Sequence, residues 1–167
     1  MAVRYRLGQF FTAVGARVAP TERMLVVGLL GPGELLLFER MSRFDQRHCL
    51  DVYHTLVRGG HTDPLLLRAA LIHDCGKVAD DGRRIPLVYY GVFVILQRFA
   101  PGIYRQAASS GRGLLWPFAV HAAHAERSAW LAAAAGSPPD LVDILHDYGA
   151  QRMNSRTVAL QWADEQN

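Results

Sequence analysis

Nowhere does this chain sustain the alternation of apolar and polar residues that a half-buried strand needs; its apolar residues recur at intervals of three and four. That period predicts an all-α fold, a single-domain helical bundle. His48, Val52 and Leu56 mark one face of a helix with Asp45 as its N-cap and Gly59-Gly60 as its stop. Residues 64–74 (PLLLRAALIHD) are apolar almost all round, as a central helix must be. Further helices are expected over 4–18, from Thr21-Glu22 onward, and over 34–41 with Leu35, Leu36 and Phe38 inward. Others are expected over 86–99, 115–135, 140–148 and 157–166. Gly31-Pro32-Gly33, residues 80–84, Pro101-Gly102 and residues 136–139 read as breaks.

With 167 residues, half of them hydrophobic and a fifth charged, the chain can bury one core. The breaks divide it into an N-terminal helical extension, 1–33, and a main domain, 34–167. Lys and Arg number 18 against 15 acidic residues. Up to residue 84 the balance is 12 against 9, and beyond it 6 against 6, so no basic tract marks a nucleic-acid footprint. Two cysteines, Cys49 and Cys75, make no disulfide framework, and with no leader pattern in front the expected location is cytoplasmic.

The most apolar segment, residues 85–96 (IPLVYYGVFVIL), lies between Arg84 and Arg98, with 13 residues separating the charges. A bilayer crossing needs ~20, so no transmembrane segment is expected. A buried helix is the expected reading; a dimer interface and a membrane-peripheral contact are the alternatives.

The basic residues are 17 Arg and a single Lys, Lys77. It stands in His73-Asp74-Cys75-Gly76-Lys77, at the end of the apolar run. An ionised Asp there is costly to bury unpaired. A turn at Gly76 lets Lys77 fold back toward Asp74, setting a cation beside a carboxylate and an imidazole. That combination suits a divalent metal and a phosphate. His121 and His124 share a helix face, as do Asp143, His146 and Asp147.

The order His48, His73-Asp74 with Gly76-Lys77, then Asp164 resembles the HD-domain metal-dependent phosphohydrolase superfamily, whose motif runs H…HD…D with the local form HDxGK. The segment FERMSRFDQRHCLDVYHTL is similar to that family's first-ligand helix, and HAERSAWLAAAAGSPPDLVDILHDY to its HPExGAxLL…LPxxVxxxIxxH pattern. The resemblance spans 34–167. It implies an all-helical domain in which His48, His73, Asp74 and Asp164 bind a divalent ion such as Mn, Fe, Zn, Ni or Mg. His124, His146 and Asp147 would serve a second ion; the adjacent histidine pair of binuclear members is His146-Asp147 here. The implied reaction is hydrolysis of a phosphomonoester or phosphodiester by metal-activated water, with a nucleotide as the leading substrate class. Asp74 and Lys77 would be the catalytic pair, and Lys77 and His121 would contact substrate. The Gly-Tyr-Pro signature of cyclic di-GMP members is absent; HDYGAQRMNS stands in its place. The alternative is a non-catalytic sensor or binding module of the same fold with a structural metal. His54 and His61 match no ligand position; Cys49 and Cys75 each adjoin a proposed ligand but show no coordination spacing for sulfur and read as small buried side chains, and Asp143 reads as a solvated helix residue.

Overall fold

The computed structural model describes residues 17–167, so the helix expected over 4–18 falls almost wholly outside the described residues. Among the described residues the architecture is all-α. The helices are α1 (Pro20–Leu29), α2 (Pro32–Arg40), α3 (Arg43–Arg58), α4 (Pro64–Ile72) and α5 (Leu87–Phe99), followed by α6 (Pro101–Ser110), α7 (Trp116–Ala134), α8 (Pro139–Gly149) and α9 (Ser155–Glu165). Short 3-10 turns cover Cys75–Lys77 and Gly113–Leu115. Among the described residues the one extended contact is an isolated bridge between Val78 and Arg84.

Proline sets many of the starts. Pro20, Pro32, Pro64, Pro101 and Pro139 each open a helix, where the missing N–H would have had no partner and φ is already helical. Asp63 caps α4 by accepting from Leu65 N at 2.9 Å, and Asn154 caps α9 by accepting from Thr157 N at 3.0 Å. The Gly31-Pro32-Gly33 break is therefore a helix start. Gly33 is needed for closeness: a Cβ on it would stand 2.2 Å from the Ala135 carbonyl oxygen. Ser42, not Asp45, caps α3, its Oγ accepting from Asp45 N at 3.1 Å. In α2 it is Leu37 that enters the core, while Leu36 is exposed. The 64–74 helix stops at Ile72, and 101–110 folds as α6 beyond a Pro-Gly pair that reads as a loop.

The main core joins α1–α4 with α7, α8 and α9. Its centre holds Leu50, Val52, Leu56, Leu71, Ile72, Leu141, Leu145 and Leu160. Each such side chain contributes about 1.5–3 kcal/mol by burial. A buried polar tie crosses it. Glu34 accepts from Gly31 N, from Arg68 twice (2.7 and 3.1 Å) and from Ser137 Oγ (2.8 Å), linking α2, α4 and the α7–α8 turn. A second, smaller core of Ile85, Phe93, Tyr104, Ala107 and Phe118 lies under α5, α6 and the start of α7. Helix α5 is not the buried helix expected: only Phe93 is fully enclosed. No helix among the described residues is long and apolar enough to cross a membrane.

Candidate metal centre

Four elements converge on Asp74. Helix α3 carries His48, the end of α4 carries His73, α7 carries His124 and α9 carries Asp164. Asp74 follows α4 at φ −101°, ψ 4°, and the 3-10 turn behind it reverses the chain at once. That turn packs directly on α7. Gly76 N donates to Ser128 Oγ at 2.9 Å, and a Cβ on Gly76 would lie 2.1 Å from the His124 carbonyl oxygen. Glycine is required here for close approach. The tight turn returns Lys77 Nζ to 2.5 Å from Asp74 Oδ2.

His48 Nε2 lies 2.8 Å from Asp164 Oδ1 and 3.7 Å from Asp74 Oδ2. His73 Nε2 lies 3.6 Å from Asp164 Oδ1 and 3.7 Å from Asp74 Oδ1. It is buried and has no hydrogen-bond partner. Its other nitrogen, Nδ1, donates to the Ala70 carbonyl at 2.9 Å, which aims Nε2 at the carboxylates. Ligand atoms of His48, His73 and Asp164 lie within 4.8 Å of one another. His124 repeats the pattern: Nδ1 donates to the His121 carbonyl at 2.5 Å, and Nε2 faces Asp74 Oδ1 at 3.5 Å. Two imidazole nitrogens thus face one carboxylate oxygen.

The electrostatics favour a cation. Burial alone would push the Asp74 carboxyl up, but Lys77, then His73, His48 and His124, hold it far below the usual carboxylate range. Asp164 is likewise held well down, against burial, by His48 and His73. Burial would lower the Lys77 pKa, yet Asp74 and Asp45 keep the ammonium charged. His73 is also pushed well up: burial opposes the shift, and Asp74 then Cys49 drive it. The carboxylates of Asp74 and Asp164 that face His73 Nε2 supply negative charge that a cation would balance, as the buried Asp74 requires. The buried His, Asp and Cys groups could hold a metal ion, and the mixed imidazole–carboxylate donors suit a first-row divalent one. Cys49 meets His73 on the Nδ1 side at 3.7 Å, where that nitrogen already serves Ala70, and burial keeps its thiol protonated. The Cys75 thiol is pushed up to about 12, first by burial.

The residues expected from the sequence divide in two. His48, His73, Asp74, Lys77, His124 and Asp164 come together. His121 lies behind His124, stacked on Phe93 at 4.1 Å and accepting from Tyr104 Oη at 2.6 Å. Burial, with Lys77 and His124 nearby, lowers its pKa to about 3. His146 is half exposed and Asp147 partly so; they pair with each other and with Arg152, and Asn154 Nδ2 donates to Asp147. Three supporting residues escaped sequence reasoning. Tyr148 Oη donates to Asp164 Oδ2 at 2.8 Å, fixing the carboxylate whose other oxygen meets His48. Tyr90 Oη donates to Asp45 Oδ1 at 2.8 Å, and Asp45 lies 3.8 Å from Lys77 Nζ. The one available signal was that Asp45 sits three residues before His48 on the same helix face. Comparison with protein-family models, with curated proteins and with solved structures finds no match for this chain.

Proposed function

We propose that the chain is a metal-dependent phosphohydrolase of the HD-domain type, acting on a phosphomonoester or phosphodiester, with a nucleotide as the first substrate class to test. The observation that carries this reading is the buried, unpartnered Nε2 of His73 between two carboxylates, beside the only lysine. His48, His73, Asp74 and Asp164 would hold the ion. A divalent ion in such a site lowers the pKa of bound water and offsets charge on phosphoryl oxygens. Lys77 contributes a fixed positive charge on the Asp74 side, kept protonated by Asp74 and Asp45, where it neutralises a phosphoryl oxygen. Tyr148 and the Ala70 carbonyl keep Asp164 and His73 in register, as supporting shells around metal ligands do. His124, with a bare Nε2 facing Asp74, is the residue best set to extend the site toward a second ion or a substrate oxygen. His121 is better suited to supporting His124, since its Nδ1 already accepts from Tyr104.

The test is elemental analysis of chelator-free protein after loading with Mn, beside Asp74→Ala, together with a panel of phosphomonoesters and phosphodiesters. The expected result is bound metal and hydrolysis, both lost in Asp74→Ala. Absence of bound metal would overturn the reading, as would hydrolysis unchanged in the variant.

A further inference from the structure

Helix α5 has two apolar faces. One packs Phe93 and Tyr90 inward. The other projects Val88, Val92, Ile95 and Phe99 outward at intervals of four, three and four, a single stripe along the helix. Ile103 on α6 and Leu114 on the following turn add to it, and Tyr89 Oη ties that turn to α5 through the Leu114 carbonyl. Phe99 is 70 % exposed and Leu114 82 %. Scattered surface leucines need no explanation, but an aligned stripe of this kind does.

Its charge identifies what covers it. From residue 82 to residue 125 the chain contains no Asp or Glu but five arginines, of which Arg83 reaches back to Asp81 and Arg84 to the Arg40 carbonyl, leaving Arg98, Arg105 and Arg112. Elsewhere arginines are commonly paired: Arg23 with Glu39, Arg47 with Glu22, Arg68 with Glu34, Arg156 with Asp63. Arg98, Arg105 and Arg112 are exposed and form no ion pair among the described residues. A second copy docking through this face by two-fold symmetry would bring the same acid-free segment against it, with no acid from residues 82–125 to receive these arginines. An anionic lipid surface supplies both requirements: acyl chains for the stripe and phosphate headgroups for the guanidiniums.

We propose that the outward face of α5 and α6 is a peripheral docking surface for anionic lipid bilayers. The 13-residue helix lies in the headgroup plane, its apolar stripe buried, with its own Arg98 and, beside Leu114, Arg112 of the following loop on lipid phosphates. The inner face of the same helix carries Tyr90, bonded to Asp45 beside Lys77. Docking therefore leaves the candidate centre on the side of the helix turned away from the bilayer.

The test is co-sedimentation of the full chain with vesicles of phosphatidylcholine alone and of phosphatidylcholine with phosphatidylglycerol, at low and high salt. Two variants accompany it, Ile95→Ser/Phe99→Ser and Arg98→Gln/Arg112→Gln, with circular dichroism to verify folding. The expected result is binding to the anionic vesicles only, reversed by salt. The arginine variant should lose about thirtyfold in partitioning, at about fivefold per arginine. Should the apolar variant unfold, the arginine variant alone decides. Absence of binding would overturn the proposal, as would equal binding to neutral vesicles or binding unchanged in a folded variant. So would a concentration-dependent dimer in sedimentation velocity that Ile95→Ser/Phe99→Ser abolishes, which would assign the face to a second copy.

Discussion

Gly76→Ala drives a methyl group into the backbone of α7. The new carbon would stand 2.1 Å from the His124 carbonyl oxygen, 2.8 Å from Ser128 N and 2.9 Å from Arg127 Cβ. A C–H group rarely approaches an oxygen closer than about 3.3 Å, so the turn must retreat by roughly 1 Å. Two of the three obstructing atoms belong to the main chain of a 19-residue helix and have little room to yield. Overpacking of this kind costs about 1–3 kcal/mol. The retreat also breaks the Gly76 N–Ser128 Oγ hydrogen bond, adding about 1 kcal/mol. A loss near 3 kcal/mol lowers the Tm of a chain this size by about 6–12 °C. Gly91→Ala is the matched control. Gly91 lies inside α5 with nothing within 4 Å of its would-be Cβ, so the same substitution gains about 0.5–1 kcal/mol. Thermal unfolding followed by far-UV circular dichroism reads both. Equal stabilities for the two variants would refute the close-approach argument. The displaced turn carries Asp74 and Lys77 with it, so metal affinity should fall alongside stability.

Tyr148→Phe removes the hydrogen bond to Asp164 Oδ2 and should weaken metal binding about 10–100-fold with little change in the Tm of the metal-free protein; competition with a chelating dye measures it. Lys77→Met strips Asp74 of its nearest cation and should destabilise the metal-free chain by about 3 kcal/mol, and urea unfolding with and without Mn should show that penalty shrinking as metal is added. Glu34→Gln should cost about 2–3 kcal/mol near neutral pH through its charged contacts with Arg68. Burial alone would raise the Glu34 carboxyl, but Arg68, Gly31 N–H and Ser137 bring it below its ordinary value. Its contribution is thus fully present above about pH 4.3 and is lost as pH falls through the lower folded value. Urea unfolding across that range should show the gap between wild type and Glu34→Gln closing on acidification.

Local signals carried much of the architecture and the heart of the site. The four-residue spacing of His48, Val52 and Leu56 and the all-round apolar character of the 64–74 segment marked α3 and the central α4. Gly76 and Lys77 are close enough in sequence to Asp74 for a single turn to bring the charges together. What escaped depends on partners distant in the chain. Asp45 reads as a cap, since caps are where Asp commonly stands, yet Ser42 takes that position and Asp45 turns toward Tyr90, 45 residues away. The choice between Leu36 and Leu37 rests on which face of α2 meets a core built by distant segments, among them the Ala135 region that Gly33 approaches, about a hundred residues on. Helix α5 misled for a simpler reason. Periodicity says that a helix with two apolar faces needs two partners, but not whether the second is part of the same chain.

The Lys77–Asp74 contact also makes the molecule chemically addressable. Every other basic side chain is a guanidinium or an imidazole, so Lys77 is the only side-chain amine an acylating reagent can capture. Its pairing with Asp74 and Asp45 keeps it protonated and therefore unreactive while the turn stays packed on α7. Acylation at this residue, followed by peptide mass spectrometry, thus times the opening of the centre itself. Amine labelling, which in most proteins averages over many surface lysines, becomes here, when read at the peptide that carries Lys77 and so apart from any terminal amine, a clock for one buried bond.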